Sequence, residues 1–314
     1  MTRPAHTPYD GSATPFTIGL KPFDPGNWIE LDSDLEPYLA EKNRLFQSVP
    51  ERVFMARPDT VEAQREVLDA LADYLPKHFP GIYKLDENAM VIGEAGRRVV
   101  LDPDDPAPLR TASLMVPEDL VLMRKCDDGW RLVAASLCFP SSWSLAEKFD
   151  RPLQAIHEPV PAFGPGTRMA GMIARIFDNL KIGVPVERMN WSVQENADLH
   201  HPRTKTERDG RAAASGGDFL AGQDARDAFL RVERQTLSKM PVSGDILFTI
   251  RIHLDPASVL ETHPDGPALA RSLSAQLAAL DPTQVDYKGL GTSRDRLAAY
   301  LRQLAERVPE ALDG

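Results

Sequence analysis

Apolar positions along the chain follow two spacings, one typical of helices and one typical of strands. In residues 59–80 they recur every three or four positions, and residues 27–47 show a similar spacing, so two helices are predicted before the first strands. Asp59 or Thr60 supplies a polar cap for the second of these helices. We expect that helix to end at Pro76, because proline lacks the amide hydrogen that a continuing helix needs.

Helical spacing returns in residues 168–180, and Thr167 is a natural cap for the start of that helix. Residues 141–157 also have helical spacing but contain Pro152, so we expect short helical pieces there instead of one rod. Two further helical stretches are predicted between residue 264 and the C-terminus.

Five stretches have the β-branched and aromatic content of strands. The first two lie within residues 118–140 and flank residues 127–129, where Gly129 tolerates the positive φ of a tight hairpin turn. The other three are "VERMNWSVQEN", "AFLRVERQTLSKMP" and "DILFTIRIHLDP". Because helical segments separate the second strand from the third, the order predicts an α+β fold with a five-stranded antiparallel sheet that resembles a PAS domain.

This order divides the chain into two parts. Residues 1–26 are rich in proline, glycine and threonine, and we expect an extended N-terminal segment. Residues 27–314 are predicted to form a single domain, with a PAS-like core at about residues 115–257 and helical extensions around it. PAS domains often hold haem, flavin or another small ligand between the sheet and the helices, but topology alone does not fix function.

The overall charge argues against nucleic acid as a partner. The 314 residues include 36 basic and 46 acidic side chains, which gives a formal net charge of -10. An acidic protein lacks the basic surface that a phosphate backbone requires. We therefore expect no nucleic-acid function.

Cysteine content and hydropathy exclude two further classes. Cys126 and Cys138 are the only cysteines, too few for an iron–sulfur cluster held by four thiolates. No window approaches 18 consecutive apolar residues, and the first residues lack the apolar stretch of a signal peptide. We expect a cytoplasmic protein that does not enter a membrane.

The stretch "LQAIHEPVPAF" places His157 at the end of an apolar run, with Pro159 and Pro161 just behind it. The residues of this stretch leave two interpretations open. His157 is either a core histidine whose hydrogen bonds are made within the protein or a metal ligand. The ligand is favoured by its position in the helical block, from which haem-binding PAS domains draw their axial histidine. The two prolines also restrict the backbone behind the ring, and a neutral imidazole ligates iron well when its other nitrogen is hydrogen-bonded.

The remaining histidines are weaker candidates. His200 and His201 lie in a polar loop and have no supporting ligand spacing, so we expect solvent contact there. His253 ends the last predicted strand and could reach the mouth of a pocket. The others, in tail-like or turn-like segments, are His6, His78 and His263.

Two groups of polar residues are candidates for contact with a bound ligand. Arg168 begins a helix just after two glycines, where backbone amides and the helix dipole favour an anion, although a plain loop is the simpler interpretation. Asn190 and Trp191 lie together inside the third strand.

The last two predicted strands supply a second set of polar candidates. Arg231, Glu233 and Gln235 alternate along the fourth strand and therefore share one face. Arg251 lies between two isoleucines on the fifth strand. Such residues usually face water, and their functional interpretation is that they cover a ligand and donate hydrogen bonds to it.

Seven short stretches together resemble the haem-dependent oxidative N-demethylase family, which is related to the α subunit of dimethylamine monooxygenase. They occur along nearly the whole chain and are "NWIELD", "CFPSSW", "IHEPVP", "RMNWSV", "RVERQTLSKMP", "FTIRIHLDP" and "YKGL". The resemblance implies a haem-binding PAS fold that uses O2 and reducing equivalents to remove a methyl group from a small secondary amine as formaldehyde.

The resemblance also implies roles for particular residues. His157 in "IHEPVP" becomes the expected axial ligand of haem b iron, and Arg168, Asn190 and Trp191 the expected cofactor-binding residues. We nominate catalytic residues from strand position alone, and these are Arg231, Gln235 and Arg251.

Oxygen activation at haem needs electrons from elsewhere, because the chain has neither a four-cysteine set nor a dinucleotide fingerprint. The expected partner is a separate NADPH-dependent reductase. The resemblance implies FMN, a 2Fe-2S centre and tetrahydrofolate on partner subunits only, where a folate site accepts the formaldehyde. The rival hypotheses are a haem-PAS gas or small-ligand sensor without turnover and a family member that has lost catalysis.

Overall fold

The computed structural model describes residues 3–202, 218, 220 and 222–306. In this part of the chain ten α-helices and ten β-strands form a mixed α/β fold. The strands are β1 (Lys21–Pro22), β2 (Phe54–Ala56), β3 (Tyr83–Asp86), β4 (Ala89–Ile92), β5 (Arg97–Val100), β6 (Asp119–Cys126), β7 (Gly129–Ser136), β8 (Val186–Gln194), β9 (Phe229–Lys239) and β10 (Ile246–Pro256). The helices are α1 (Leu35–Ser48), α2 (Pro50–Val53), α3 (Val61–His78), α4 (Pro108–Ser113), α5 (Leu145–Lys148), α6 (Leu153–His157), α7 (Arg168–Asn179), α8 (Gly266–Ala279), α9 (Pro282–Tyr287) and α10 (Ser293–Glu306).

Seven strands form one antiparallel sheet in the order β1-β8-β9-β10-β6-β7-β2. The five predicted strands, β6 to β10, are its five central members, and α5 to α7 follow the second of them as expected. The expectation of five strands is wrong for the whole sheet, because β1 pairs with β8 and β2 pairs with β7 at its edges. Strands of two and three residues are too short to show an alternating pattern.

The hairpin between β6 and β7 forms where it was predicted. Cys126 pairs with Gly129 across the turn, and Gly129 has a φ of +116°. A side chain at that position is strained, so glycine is required for the tight connection.

A second sheet of three short strands, β3-β4-β5, lies between α3 and α4 in the sequence and was not expected. Its buried residues Tyr83, Met90 and Ile92 join the apolar stripe of α3 in one cluster. Each strand has only four residues, and charged positions such as Arg97 and Arg98 obscure its alternation.

Two helix predictions need correction. The helix expected to end at Pro76 continues to His78, because Pro76 lies in its last turn, where few helical bonds remain to be lost. The amide of Phe79 then closes the helix by donating to the Leu75 carbonyl (2.9 Å). Near the C-terminus, α8, α9 and α10 replace the two predicted helical stretches.

Both faces of the large sheet are covered. We call the face that bears Arg231, Glu233 and Gln235 the front face, and the opposite face, which bears Leu230 and Val232, the back face. Leu153 of α6 and Ile173 and Phe177 of α7 share one core cluster with front-face residues of the sheet. The back face packs against α8 and α10 at one end and against α3 and the small sheet at the other.

Candidate functional site

His157 is the last residue of α6, and its ring lies partly buried at the front-face side of the molecule. Its Nδ1 lies 2.9 Å from the Leu153 carbonyl oxygen. A carbonyl only accepts hydrogen bonds, so Nδ1 carries the proton and Nε2 has the free lone pair. No described residue forms a hydrogen bond with Nε2, which leaves this nitrogen available as a ligand atom.

The surroundings keep this imidazole neutral. Burial lowers the pKa of His157 to about 4, and the positive charges of Lys148 and Arg188 add to the effect, while the bond to Leu153 opposes it. At neutral pH the ring is therefore unprotonated. A neutral imidazole whose Nδ1–H is held by a carbonyl has the tautomer and the fixed orientation that a metal ligand needs.

Two polar residues of β8, Arg188 and Asn190, point to the front face of the sheet. Arg188 is paired with Gln235 and Asn190 with Glu233 in the β8–β9 register, so all four side chains lie on the front face. The Nε of Arg188 is buried and has no hydrogen-bond partner among the described residues. Burial lowers the pKa of this guanidinium, and Glu233 and Tyr287 partly offset that effect. A buried donor without an acceptor is costly, so an anionic ligand at this position would be stabilised.

The strand β9 carries a connected polar row. Gln235 Nε2 donates to Glu233 Oε2 (2.9 Å), and Arg231 Nε lies 3.4 Å from Glu233 Oε1. Arg231 is fully buried and also donates to the Phe139 and Leu199 carbonyls, so it joins β9 to two loops. Glu233 and Gln235 remain partly exposed although β9 is an inner strand of the sheet.

The helices leave this part of the sheet partly uncovered. The main strand contacts of α6 and α7 are with β7, which is separated from β9 in the sheet by β10 and β6. Solvent therefore reaches Glu233 and Gln235 on the front face. This region therefore combines four kinds of side chain. They are the imidazole of His157, the guanidinium of Arg188, the carboxylate of Glu233 and the amide of Gln235.

The other predicted site residues lie elsewhere. Arg168 is the first residue of α7 and is exposed, with Thr167 accepting a hydrogen bond from the Ala170 amide as the expected cap. Trp191 points to the back face, where its Nε1 donates to Gln276 Oε1 of α8 (3.1 Å). Neighbouring strand residues point to opposite faces, so Asn190 and Trp191 do not meet in one site.

Arg251 also lies on the back face. Its guanidinium donates to Asp32 Oδ2 (2.6 Å) and to the carbonyls of Glu30 and Ile252, and it lies over the Tyr38 ring at 4.3 Å. Every part of this guanidinium is engaged by the N-terminal residues or the backbone. The structure separates Arg251 from His157 by the thickness of the sheet.

Two residues near this site, Arg188 and Lys288, were not selected from the sequence, and Glu233 was grouped with Arg231 and Gln235 but given no role. Arg188 lies on a strand already predicted, and alternation from Asn190 would have placed it on the same face. Lys288, from the stretch "YKGL", is partly buried, donates to the Trp191 carbonyl (2.7 Å) and lies over the Trp191 ring at 4.5 Å. Burial lowers its pKa to about 8, with Glu233 opposing and Arg188 adding to the shift. No local pattern reveals this long-range contact.

These residues fit a haem. The chemistry of the set provides one neutral nitrogen donor in His157 and one partly buried cation, Arg188, whose buried Nε has no acceptor among the described residues. Imidazole nitrogen is a common axial ligand of haem iron, and haem propionates pair well with an arginine.

Comparison with known families agrees with this chemistry. A family model described as "haem-dependent oxidative N-demethylase, alpha subunit-like" matches residues 19–298 of the chain. The chain therefore belongs to this family of haem-dependent oxidoreductases. Among the described residues, no helix is both long and apolar enough to cross a membrane.

Proposed function

We propose that this chain is the haem-binding, oxygen-activating component of an N-demethylase that acts on a small secondary amine similar to dimethylamine. The reaction consumes the amine, O2, NADPH and a proton, and it yields the primary amine, formaldehyde, water and NADP+. The observation that carries the proposal is His157, whose Nδ1 is held by Leu153 while Nε2 is free, in a chain of a haem-dependent family.

In this proposal residues 27–314 act as one domain, and the PAS-like core at about residues 115–257 binds haem b between the front face and α6–α7. Support comes from the five central strands and from the helices inserted after the second of them. His157 Nε2 would ligate the iron. Arg188, Asn190 and the exposed Arg168 would pair with the propionates and the edge of the group. Bound haem supplies the O2 binding and one-electron chemistry that side chains do not.

The polar row of β9 would hold the amine. A dialkylamine is protonated in neutral water, and the Glu233 carboxylate is the anion of the front face that can pair with its ammonium group. Gln235 already donates to Glu233 Oε2, so it fixes the orientation of the carboxylate. Arg231 restrains the other oxygen from a fully buried position. Together they would orient the N-methyl group toward the reacting centre and limit water there.

Electrons would come from outside the chain. Cys126 is partly exposed and Cys138 is buried, and neither is part of a thiolate cluster. We propose a separate NADPH-dependent reductase, with FMN and a 2Fe-2S centre on partner subunits. A folate-binding subunit carrying tetrahydrofolate would accept the formaldehyde, and the assembly would work in the cytoplasm.

The test is spectral first and catalytic second. Protein produced with ample haem should show a Soret band, and His157→Ala should lose it. His78→Ala is the matched control, because His78 also ends a helix and bonds through Nδ1 to the carbonyl four residues earlier, Tyr74 (2.9 Å). That residue lies at the end of α3, outside the front-face cluster.

Catalysis is tested by adding a reductase, NADPH and a panel of methylated amines. The proposal expects amine-dependent NADPH consumption with one formaldehyde released per amine consumed. A Soret band with no formaldehyde from any amine would instead identify a haem sensor or an inactive family member.

A further inference from the structure

We infer that His6, Glu30 and His253 form a binding site for one divalent transition metal ion, with Zn²⁺ as the best chemical match, on the back face of the sheet. One nitrogen from each histidine and one Glu30 carboxylate oxygen all lie within 4.8 Å of one another. The inference does not depend on haem or on N-demethylation, because these residues lie on the opposite side of the sheet from His157.

The three side chains converge from separate parts of the chain. His6 belongs to the N-terminal segment, Glu30 to the loop before α1, and His253 to β10. His6 Nε2 lies 2.6 Å from Glu30 Oε1, and His253 Nε2 lies 3.3 Å from Glu30 Oε2. The two imidazole rings meet edge to face with 5.2 Å between their centroids. Both Nε2 atoms therefore point at one carboxylate, the arrangement in which an ion can replace the hydrogen bonds.

The ligands are held before any ion arrives. The Glu30 amide donates to Glu118 Oε1 (2.9 Å), and its carbonyl accepts from Arg251 Nε (3.3 Å). His253 is buried and fixed by the β9–β10 pairing. Asp32 Oδ2 lies 3.8 Å from His253 Nδ1, on the side of the ring away from Glu30, where a carboxylate commonly orients a metal-bound imidazole.

The charges favour a cation. The Glu30 carboxylate lies between the two imidazoles, and a second carboxylate, that of Asp32, lies 3.8 Å from His253 Nδ1. Two imidazoles and one carboxylate match the protein ligands of known three-ligand zinc sites, which keep a fourth position for water. Ligand distances near 2.0–2.2 Å need only small movements from this geometry.

A bound ion would fasten the N-terminal segment to the sheet. His6 is the ligand from that segment, and β1, farther along it, pairs with β8 directly beside Arg188. Binding to the folded state alone raises the melting temperature in proportion to the logarithm of free ion. The role is therefore structural, through cross-linking of residues far apart in sequence.

The experiment uses untagged full-length protein, stripped with a chelator, dialysed and titrated calorimetrically with Zn²⁺. We expect one tight site, and we expect His6→Ala and Glu30→Gln to weaken it by about 100-fold or more, as the loss of a ligand requires. His78→Ala and His263→Ala, histidines outside the cluster, should bind Zn²⁺ as the unchanged chain does.

Two additional measurements distinguish loss of the metal site from loss of the fold. His6 and Glu30 are partly exposed, with 24% and 27% of their side chains accessible, so their variants are expected to fold, as circular dichroism will verify. Replacement of Zn²⁺ by Co²⁺ should give visible absorption bands that vanish in the same two variants. Equal Zn²⁺ affinity in the unchanged chain, His6→Ala and Glu30→Gln, or no binding after stripping, would overturn the inference whether or not haem binds.

Discussion

Two arginines on opposite faces of the large sheet, Arg234 and Arg188, differ in whether the protein supplies acceptors for their hydrogen bonds. On the back face, Arg234 donates to Glu187 Oε2 (2.9 Å) and to the Trp28 and Asn27 carbonyls (3.1 and 2.7 Å). On the front face, Arg188 is partly buried, and no described residue accepts a hydrogen bond from its buried Nε. Arg188 and Arg234 lie on adjacent strands, yet only Arg234 finds acceptors for its hydrogen bonds among the described residues.

Two lysines, the fully buried Lys42 and the partly buried Lys288, show the same contrast. Lys42 donates to three carbonyls, those of Ser113, Val116 and Glu118. Lys288 donates to one carbonyl and otherwise faces aromatic rings. Satisfied polar groups indicate architecture, whereas groups with spare donors indicate a place for a ligand. By this criterion we propose the region around Arg188 as the binding site and Arg251 as part of the scaffold.

The largest expected effect is the loss of stability when Arg251, the arginine assigned to the scaffold, is replaced. Arg251→Met leaves Asp32 without its cation and removes a donor from the Glu30 and Ile252 carbonyls, which should cost about 3–5 kcal/mol of unfolding free energy. Urea unfolding at pH 7 measures it. The folded fraction should still bind haem, and a loss below about 1 kcal/mol would contradict a scaffold role.

The pH dependence of the haem-free protein tests the front face. His157 has a pKa of about 4 in the folded state against an ordinary value of 6.5, so between these pH values the unfolded chain binds more protons. Stability should therefore fall as the pH drops from 6.5 to 4, by up to about 3 kcal/mol from this group. His157→Gln should flatten that part of the curve, and an unchanged slope would show that the ring is not held neutral.

Arg188→Met removes a cation with an unsatisfied donor, so it should change stability by less than about 1 kcal/mol. Haem affinity should nevertheless fall by roughly tenfold or more, because a charge-assisted hydrogen bond contributes about 1.5–3 kcal/mol. Haem titration of the stripped protein measures this loss. Arg234→Met is the matched control, with the reverse outcome: clear destabilisation and unchanged haem affinity.

The smallest expected effect concerns the amine. Gln235→Leu removes one partly exposed hydrogen bond to the Glu233 carboxylate, worth about 1.5 kcal/mol, so KM for the amine should rise by up to about tenfold. The Soret band should stay unchanged. A shift of the haem spectrum without a change in KM would place Gln235 at the cofactor instead of at the substrate.

Much of the fold was predictable because its central strands are long. Runs of eight to eleven mostly β-prone residues mark β6, β7, β9 and β10 as strands, and Gly129 marks the hairpin. The edge strands β1 and β2 and the four-residue strands of the small sheet carry too few positions for that signal. Their existence depends on tertiary pairing.

The site was predictable only in part. Alternation correctly grouped Arg231, Glu233 and Gln235, and the same rule separates Asn190 from Trp191. It did not reveal which face Arg251 occupies, because both faces of this sheet are covered and its isoleucine neighbours suit either. The approach of His6 to His253 joins residues far apart in sequence, and no local pattern contains it.

The most direct test of the account is the absorption spectrum of His157→Ala beside those of the unchanged chain and His78→Ala. Each protein is produced with excess haem, and each is recorded again with added imidazole. We predict a Soret band in the unchanged chain and in His78→Ala, its loss in His157→Ala, and its partial return when imidazole occupies the vacated position. An undiminished Soret band in folded His157→Ala would contradict the assignment of His157 as the iron ligand.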